Sequence, residues 1–600
     1  MRWTARSGRR PAAAGVALAL AAVVSACGGL ATESAVQQGS QVGDSAVQPV
    51  RVQPDGPTSG ATPEQIVRGF LRAGAGAGFD DDHAIARSFF TPNVKDDWLP
   101  NSGVEVYGDD SALKVELLTP STVRVSAPTV AKVDGDGRYH QTPAGTSAQA
   151  IFGMQKLEAG WRISILQKGF GLWLSAADLD RIYRPFTIAY VSSSARTIVG
   201  DRRWFPNNPA LATTLAREQL SAPPRYLVGA VQTGVPGGTV LAVDAVPVES
   251  GRALVDLSPS AMSADPAQRR AMWAQFVTSL TQVPSVSEVS LTVGRAPLDL
   301  PDTPDRVSAL TTLGYGIDSA APAKSAVLRV GSDLSRVSPD RPQDVDRSRK
   351  PSKPSTGAVL PKIPTGWISL AMSWTGQEIA GIGGDHADLA RWQGGRMFKL
   401  PKFGSRLTKP SYDSVNGLWV AGQSGGVAKL WVIDTSLSSM KDAKPREIPV
   451  SWLAKRTVLA LRVASDNQRV ALITSNPSGG DVRVEVAGIV RSANGAATSL
   501  STEPLRVGWP LTAATDLAWV DGSTLAVVGR VGPKVAFGPH LVEIGGKVTA
   551  LSPVAGSRLV TSTGGVRGVV VIADSGKVLA RAGNGWQQLQ RGTDFLIPWR

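Results

Sequence analysis

Residues 514–529, "ATDLAWVDGSTLAVVG", decide the fold of the C-terminal half of the chain. They read as an apolar strand, a polar turn with a glycine and a second apolar strand, which is the pattern of a β-hairpin. Four other segments repeat this shape, and the five turns lie 41 to 55 residues apart. That period fits one four-stranded propeller blade with loop insertions, so we predict an all-β propeller over residues 363–600 with about six blades, within a range of five to seven. The turns centre near Gly376, Gly417, Asn467, Gly522 and Gly576.

Residues 61–180 predict helices followed by an antiparallel sheet, which is an α+β pattern. Thr62 is a good helix N-cap, and Gln65 completes a capping box with it. The ending "KLEAGWRIS", residues 156–164, turns at Ala159-Gly160 and resembles the final hairpin of NTF2-like (cystatin-like) modules. That resemblance implies a module that binds a partner or a small molecule. His83 and the preceding Asp80, Asp81 and Asp82 fit helix capping better than catalysis.

Residues 183–300 predict a second α+β unit. We expect a helix that starts at Asn208-Pro209, a hairpin that turns at Ser250-Gly251 and a helix capped by Asp265. The stretches "GTVLAV", "VDLS" and "FVTSLTQVPSVSEVSLTVGRAPL" together resemble the GerMN domain of exported bacterial proteins. That resemblance implies a non-catalytic binding role at the cell envelope. Residues 301–362 are predicted as a linker, in which Ala326–Val330 is a candidate propeller strand.

The N-terminus explains why Cys27 is the only cysteine among 600 residues. Four arginines precede an apolar run of about 14 residues, which is too short for a membrane span of about 20. The end of this run, "VSAC" at residues 24–27, resembles the bacterial lipobox. The resemblance implies cleavage after residue 26 and lipidation of Cys27, the one site residue that the sequence assigns. The alternative is an ordinary signal peptide with a chance cysteine. Residues 27–60 are predicted to be a flexible tether.

The remaining composition favours a binding protein over an enzyme. One cysteine and four scattered histidines offer no metal-ligand spacing, and no cofactor motif is evident. Ser424 in "GQSGG" matches G-x-S-x-G, but it lies between two strand-like segments and not at a strand-to-helix elbow. Loss of residues 1–26 lowers the formal net charge from +14 to +10. Because no compact basic run carries interleaved aromatic residues, we do not expect nucleic-acid binding.

The order of these parts resembles the actinobacterial lipoprotein LpqB family over essentially the whole chain. The resemblance implies a protein on the outer face of the plasma membrane, held there by its lipid. It also implies that the protein modulates a sensor kinase of the MtrA/MtrB two-component type through the kinase's extracellular part, and so affects cell-wall homeostasis and cell division. Two alternatives stay open. One is a protein that binds an envelope polymer such as peptidoglycan or a glycan, and the other is a hydrolase on the propeller.

We expect Cys27→Ala to abolish lipidation, because the thiol is the only acceptor that the lipobox offers. Metabolic labelling with a fatty-acid analogue measures this directly. Ser25→Thr, which keeps the thiol, serves as the control and should still take the label. Equal labelling of wild type and Cys27→Ala would contradict the assignment.

Overall fold

The computed structural model describes residues 54–76, 83–193, 196–301, 303–317, 323, 325–338, 360–436 and 440–598. Cys27, the signal peptide, most of the predicted tether and Asp80, Asp81 and Asp82 lie outside these ranges. The described residues belong to one compact unit, Gln53–Arg600. Within it we distinguish an N-terminal module (residues 54–182), a second module (183–317) and a propeller (326–598).

The N-terminal module packs one long helix against a curved sheet. Thr62 and Gln65 cap this helix reciprocally, as the capping box predicts, with N–H to oxygen distances of 2.8 and 3.3 Å. The helix buries Phe70 among the rings of Phe90, Trp98 and Phe152, so aromatic edge-to-face contacts fill the space between helix and sheet. The helices are α1 (Pro63–Gly74), α2 (Ala84–Arg87) and α3 (Ala176–Ile182). The strands are β1 (Gly103–Tyr107), β2 (Lys114–Thr119), β3 (Thr122–Asp134), β4 (Tyr139–Gln141), β5 (Ser147–Leu157), β6 (Gly160–Ile165) and β7 (Leu172–Ser175).

The sheet of this module has the order β6-β5-β3-β1-β7, and β2 and β4 also pair with β3. The central strand β3 is long enough to pair with β5 and β2 along its first half and with β1 and β4 along its second half. Its change of partners along one strand curves the sheet around α1. The predicted α+β pattern, in which helices precede a curved sheet, is therefore present. The NTF2-like identity of this module stays a prediction.

The second module places two helices between two small sheets. The sheet orders are β10-β8-β9-β15 and β11-β12-β13-β14. Helix α5 is capped by Asp265 and Gln268, as its sequence predicts, and Trp273, Val277 and Leu280 are buried. The helices are α4 (Leu211–Leu220) and α5 (Pro266–Leu280). The strands are β8 (Tyr183–Ser192), β9 (Thr197–Pro206), β10 (Val231–Gln232), β11 (Val248–Glu249), β12 (Arg252–Leu257), β13 (Glu288–Val293), β14 (Ala296–Pro297) and β15 (Gly316–Ile317).

Two details of the second module differ from the sequence-based expectation. Helix α4 begins at Leu211 and not at Asn208-Pro209, because the Asn208 side chain accepts a hydrogen bond from the Ala210 N–H and forms a turn ahead of the helix. The region predicted as a linker also begins later than residue 301. Val307 bridges to Val289, and β15 pairs with β9, so residues 303–317 belong to the second module.

Six sheets follow in the described part of residues 326–598, and we call them blades 1 to 6. Blade 1 contains β16 (Ala326–Val330), β17 (Asp333–Val337) and the last strand, β39 (Asp594–Leu596). Blade 2 contains β18 (Trp367–Met372), β19 (Glu378–Gly383), β20 (Leu389–Gln393) and β21 (Arg396–Lys399). Blade 3 contains β22 (Ser411–Tyr412), β23 (Gly417–Ser424), β24 (Val427–Asp434) and β25 (Arg446–Ile448).

Blade 4 contains β26 (Thr457–Val463), β27 (Arg469–Ser475), β28 (Arg483–Arg491), β29 (Ala497–Leu500) and β30 (Leu505–Val507). Blade 5 contains β31 (Ala513–Asp521), β32 (Thr524–Arg530), β33 (Gly538–Glu543) and β34 (Val548–Ala550). Blade 6 contains β35 (Ser557–Ser562), β36 (Val569–Ala573), β37 (Lys577–Ala582) and β38 (Gly585–Arg591). Apolar clusters join each blade to the next and blade 6 to blade 1, which makes the sheets a closed ring.

The five repeated segments are hairpins, but they are not all equivalent. Four of the predicted turns join the first and second strands of blades 2 to 5. The turn at Gly576 joins the second and third strands of blade 6, so it lies at the opposite end of its blade. Strands β36 and β37 have the same apolar character as a first and second strand, so the sequence pattern places this hairpin one strand out of phase with the other four.

Blade 1 closes the ring by pairing segments from the two ends of the propeller. Strand β39 pairs antiparallel with β16. The Asp594 carboxylate accepts a hydrogen bond from the Leu370 N–H of blade 2 (3.3 Å) and forms an ion pair with Arg329 (3.3 Å). Arg329 also donates to the carbonyl oxygens of Trp367 and Pro364. Both charged side chains are almost fully buried, so closure depends on their mutual compensation.

We expect Asp594→Ala to lower the free energy of unfolding of the propeller by about 3–5 kcal/mol, because it leaves Arg329 charged and buried without its partner. Urea unfolding of the soluble form (residues 28–600), followed by tryptophan fluorescence, measures the loss. Asp574→Ala is the matched control. Its carboxylate is 71% exposed and 4.0 Å from Arg558, so we expect a loss of about 0–1 kcal/mol. Equal unfolding curves for the two variants would refute this role of Asp594.

Candidate binding site at the junction of the modules

The three modules meet around one buried carboxylate, Asp201 of β9. The Arg138 guanidinium, from the loop before β4, donates to both Asp201 oxygens at 2.6 and 2.7 Å. Arg203 donates through Nε at 2.7 Å, and the Tyr226 hydroxyl donates at 2.9 Å. The Asp201 side chain is fully buried. Its charge is therefore compensated entirely by neighbours from the N-terminal and second modules.

The surrounding charges keep this carboxylate ionised. Burial alone raises the pKa of Asp201, but Arg138 and Arg203 outweigh burial and hold the pKa below its ordinary value. Burial raises the pKa of the Tyr226 hydroxyl far above its usual range, and the nearby Asp201 charge adds to the increase. Tyr226 is thus a stable hydrogen-bond donor, and the cluster is a structural ion network and not an acid–base pair poised near neutral pH.

The propeller attaches to the same cluster through Arg469 of blade 4. This guanidinium donates to the Gly200 carbonyl of the second module at 3.2 Å and to the Gly522 carbonyl of blade 5 at 2.6 Å. Its own charge is balanced by Asp466 at 2.6 Å. The apolar core of the second module also continues without interruption into blades 4 and 5. The second module is thereby joined to the propeller by both apolar and charged contacts.

The N-terminal module touches the propeller at the loop between β33 and β34. Trp204 of the second module stacks on Tyr139 of the N-terminal module at 5.1 Å and donates from Nε1 to the Gly545 carbonyl of the propeller at 3.1 Å. Gly546 adopts φ +102°, and a Cβ at this position would lie 1.7 Å from the Tyr139 carbonyl oxygen. Only glycine fits at this contact, because both the backbone conformation and the close approach exclude a side chain.

A groove of about 1410 Å³ opens beside this junction. Its walls are the loops at residues 413–417, 434–436 and 442–446 of blade 3 and at residues 465–468 and 491–497 of blade 4. Ser193 and Thr197 of the second module border it. A concave surface between domains is a usual position for a binding site, and this one is larger than most small-molecule pockets.

The buried charges beneath the groove are satisfied by the protein itself. Asp413 accepts hydrogen bonds from the Gly417 N–H (2.6 Å), the Trp419 indole (2.9 Å) and the Arg491 guanidinium (3.0 Å). Arg491 also donates to the Asn467 and Gly495 carbonyls. These contacts fix the loops of blades 3 and 4 relative to each other, so the groove is preformed.

The structure does not gather the predicted chemistry-bearing residues into one site. His83 occupies the N-cap position of α2, but its side chain makes no capping hydrogen bond. Ser424 pairs with Val427 across a two-residue turn in which Gly425 and Gly426 have positive φ, so it lies in a hairpin, as its context predicts. In the described ranges, no cluster of three or more His, Cys, Asp or Glu side chains is arranged to hold a metal ion. Every helix described is too short or too polar to cross a bilayer.

The sequence interpretation missed the Asp201 cluster. One signal was available in "TIVGDRRWFP", the sequence of β9. Two charged residues, Asp201 and Arg203, occupy positions of this strand that are buried. Charged residues at such positions indicate a compensated buried network. Arg138, the partner of Asp201, lies 63 residues away, so its identity could not be read from the local pattern.

Three family profiles match the chain in the order of the modules. The profile described as "Lipoprotein LpqB, N-terminal domain" matches residues 56–180. "Sporulation and spore germination", the Germane domain, matches residues 187–299. "Lipoprotein LpqB beta-propeller domain" matches residues 356–598. The GerMN-like and propeller assignments are confirmed.

Full-length relatives carry the same name. The chain is 28% identical to Lipoprotein LpqB of Thermobifida fusca (strain YX), over 86% of each protein. It is 25% identical to Lipoprotein LpqB of Cutibacterium acnes, over 98% of this chain and 99% of that protein. Among solved structures, TolB from Acinetobacter baumannii is 15% identical with a TM-score of 0.31, over 46% of this chain and 67% of that chain.

We expect Gly546→Ala to detach the N-terminal module from the propeller, because the new methyl group collides with the Tyr139 backbone. Hydrogen exchange of residues 139–141 measures the attachment and should become faster. Gly532→Ala is the control, because it has a similar φ of +93° but no atom within 4 Å of its new Cβ. Unchanged protection of residues 139–141 in Gly546→Ala would show that this contact does not hold the modules together.

Proposed function

This chain belongs to the lipoprotein LpqB family, and from that membership we propose that it is an exported, lipid-anchored accessory protein of a membrane sensor kinase. In this proposal the lipid on Cys27 holds the protein on the outer face of the plasma membrane. The protein binds the extracellular part of a kinase of the MtrA/MtrB type and so modulates cell-wall homeostasis and cell division. The name that the relatives share, lipoprotein, supports the anchor.

A binding role is supported by the contacts that join the three modules into one body. The Asp201 cluster and the continuous core between the second module and blades 4 and 5 tie their surfaces together. A partner would meet one preformed body, which reduces the ordering cost of binding. The relatives are named as lipoproteins and not as enzymes, and Ser424 lies in a hairpin. Both points favour a binding protein over a propeller hydrolase.

The lipid anchor raises the effective concentration of the protein beside its membrane partner. Between Cys27 and Pro54 lie 26 residues, and a flexible chain of that length has an r.m.s. span of about 30 Å. Confinement of two proteins to one membrane surface raises their effective concentration, so a modest affinity suffices when the geometry permits contact. The proposal therefore predicts that lipidation matters for signalling in cells more than for binding in solution.

We expect the soluble form (residues 28–600) to bind the purified extracellular domain of the kinase, yet to signal poorly in cells when exported without lipid. The two measurements are the affinity by calorimetry and the rescue of a deletion strain. The control strain expresses the same form behind the native leader with Cys27, at matched abundance. Full rescue by the unlipidated form would refute confinement. Absence of binding in solution would refute the kinase as the direct partner.

A further inference from the structure

We propose that the groove between blades 3 and 4 binds a neutral, hydroxyl-rich glycan strand. This goes beyond the proposed kinase contact and concerns a second ligand. The groove volume of about 1410 Å³ exceeds the range of about 300–1000 Å³ that is typical of small-molecule pockets. An open groove of this size suits a polymer that enters at one end and leaves at the other.

The electrostatic balance of the groove selects a neutral ligand. The buried pairs Asp413–Arg491 and Asp466–Arg469 are compensated internally. The charged residues that remain exposed along its walls are two carboxylates and two cations: Asp434, Asp442, Lys444 and Arg446. By contrast, residues 326–598 carry 33 Lys and Arg against 20 Asp and Glu. The groove is therefore a neutral region of a basic domain, and a polyanion would be attracted elsewhere on the surface.

The polar groups at the surface of the groove suit hydroxyl recognition. Asn416, Asn494 and Ser436 line it and are exposed. The side-chain oxygen of Asn494 accepts from the Ser492 hydroxyl and the Ala496 N–H, which leaves the amide N–H groups of this exposed residue available as donors. Amides and hydroxyls both donate and accept hydrogen bonds, as sugar hydroxyls do, and they carry no charge that a neutral polymer would have to compensate.

One exposed aromatic side chain completes the site. Trp374, in the loop between β18 and β19, borders the groove and is 41% exposed. An exposed indole combines a broad apolar face with a polar edge, which suits the C–H face of a sugar ring. A peptide strand would need an unpaired sheet edge or a row of apolar pockets. Val415 is the other large hydrophobic residue exposed among the described lining residues. Trp374 alone is thus a platform for a ring and not a pocket for a peptide side chain.

The test uses the mature lipidated protein in a sugar-free detergent. The probe is a β-1,4-linked hexamer of N-acetylglucosamine, and calorimetry gives its affinity. We expect saturable binding that Trp374→Ala weakens at least tenfold. Asn416→Gly removes one amide but keeps the positive φ of 68° that this position needs, and we expect a several-fold loss. Val535→Ala, which shortens an exposed apolar side chain between β32 and β33, is the control and should bind as wild type.

A second measurement separates this site from the kinase contact. The same variants are titrated with the extracellular domain of the kinase, and we expect affinities equal to that of wild type. No binding of the hexamer, or equal binding by wild type and Trp374→Ala, would overturn the glycan site. Loss of kinase binding in the groove variants with unchanged hexamer binding would also overturn it, because the groove would then be a protein-binding surface.

Discussion

The buried charge of Asp201 is the constraint on which the arrangement of the modules depends. A carboxylate without water must be compensated by fixed donors, and its donors come from two modules: Arg138 from the first, and Arg203 and Tyr226 from the second. Arg469 of the propeller binds the carbonyl of the preceding residue, Gly200. A shift of the N-terminal module would leave Arg138 without its carboxylate partner, and a shift of the propeller would break the hydrogen bond from Arg469 to Gly200. We infer that the cluster fixes orientation more than it adds net stability, since buried ion pairs often contribute little of the latter.

Ring closure follows the same physical rule. The propeller is closed by β16 and β39, which pair although nearly the whole domain separates them in sequence. Asp594 and Arg329 are both buried there and satisfy each other together with backbone groups of blade 2. A second buried pair, Asp413 and Arg491, holds the loops of blades 3 and 4 together beneath the groove. The binding surface is thus a consequence of contacts that are long-range in sequence.

Local features could be predicted from the sequence, and long-range ones could not. The caps at Thr62 and Asp265 and the hairpin turns near Gly376, Gly417 and Asn467 depend on residues a few positions apart, so their patterns are visible in a single chain. The role of Gly576 and the partner of Asp201 depend on which strands meet in space. The groove is also a long-range feature, because its wall is formed by segments that lie far apart in the sequence. Family resemblance supplied the order of modules, not their contacts.

The contacts at Asp201, Gly200 and Gly546 imply that the three modules form one body with fixed orientation. The soluble form (residues 28–600) contains no cysteine, because Cys27 is the only one in the chain. Spin labels can therefore be placed at two introduced cysteines alone, at the exposed positions Gln149 of the N-terminal module and Lys577 of blade 6. Pulsed electron–electron double resonance then gives the distance distribution between the two spin labels. Because the modules form one body, we expect one narrow distribution at the distance that the structure defines. A broad or multimodal distribution would contradict it.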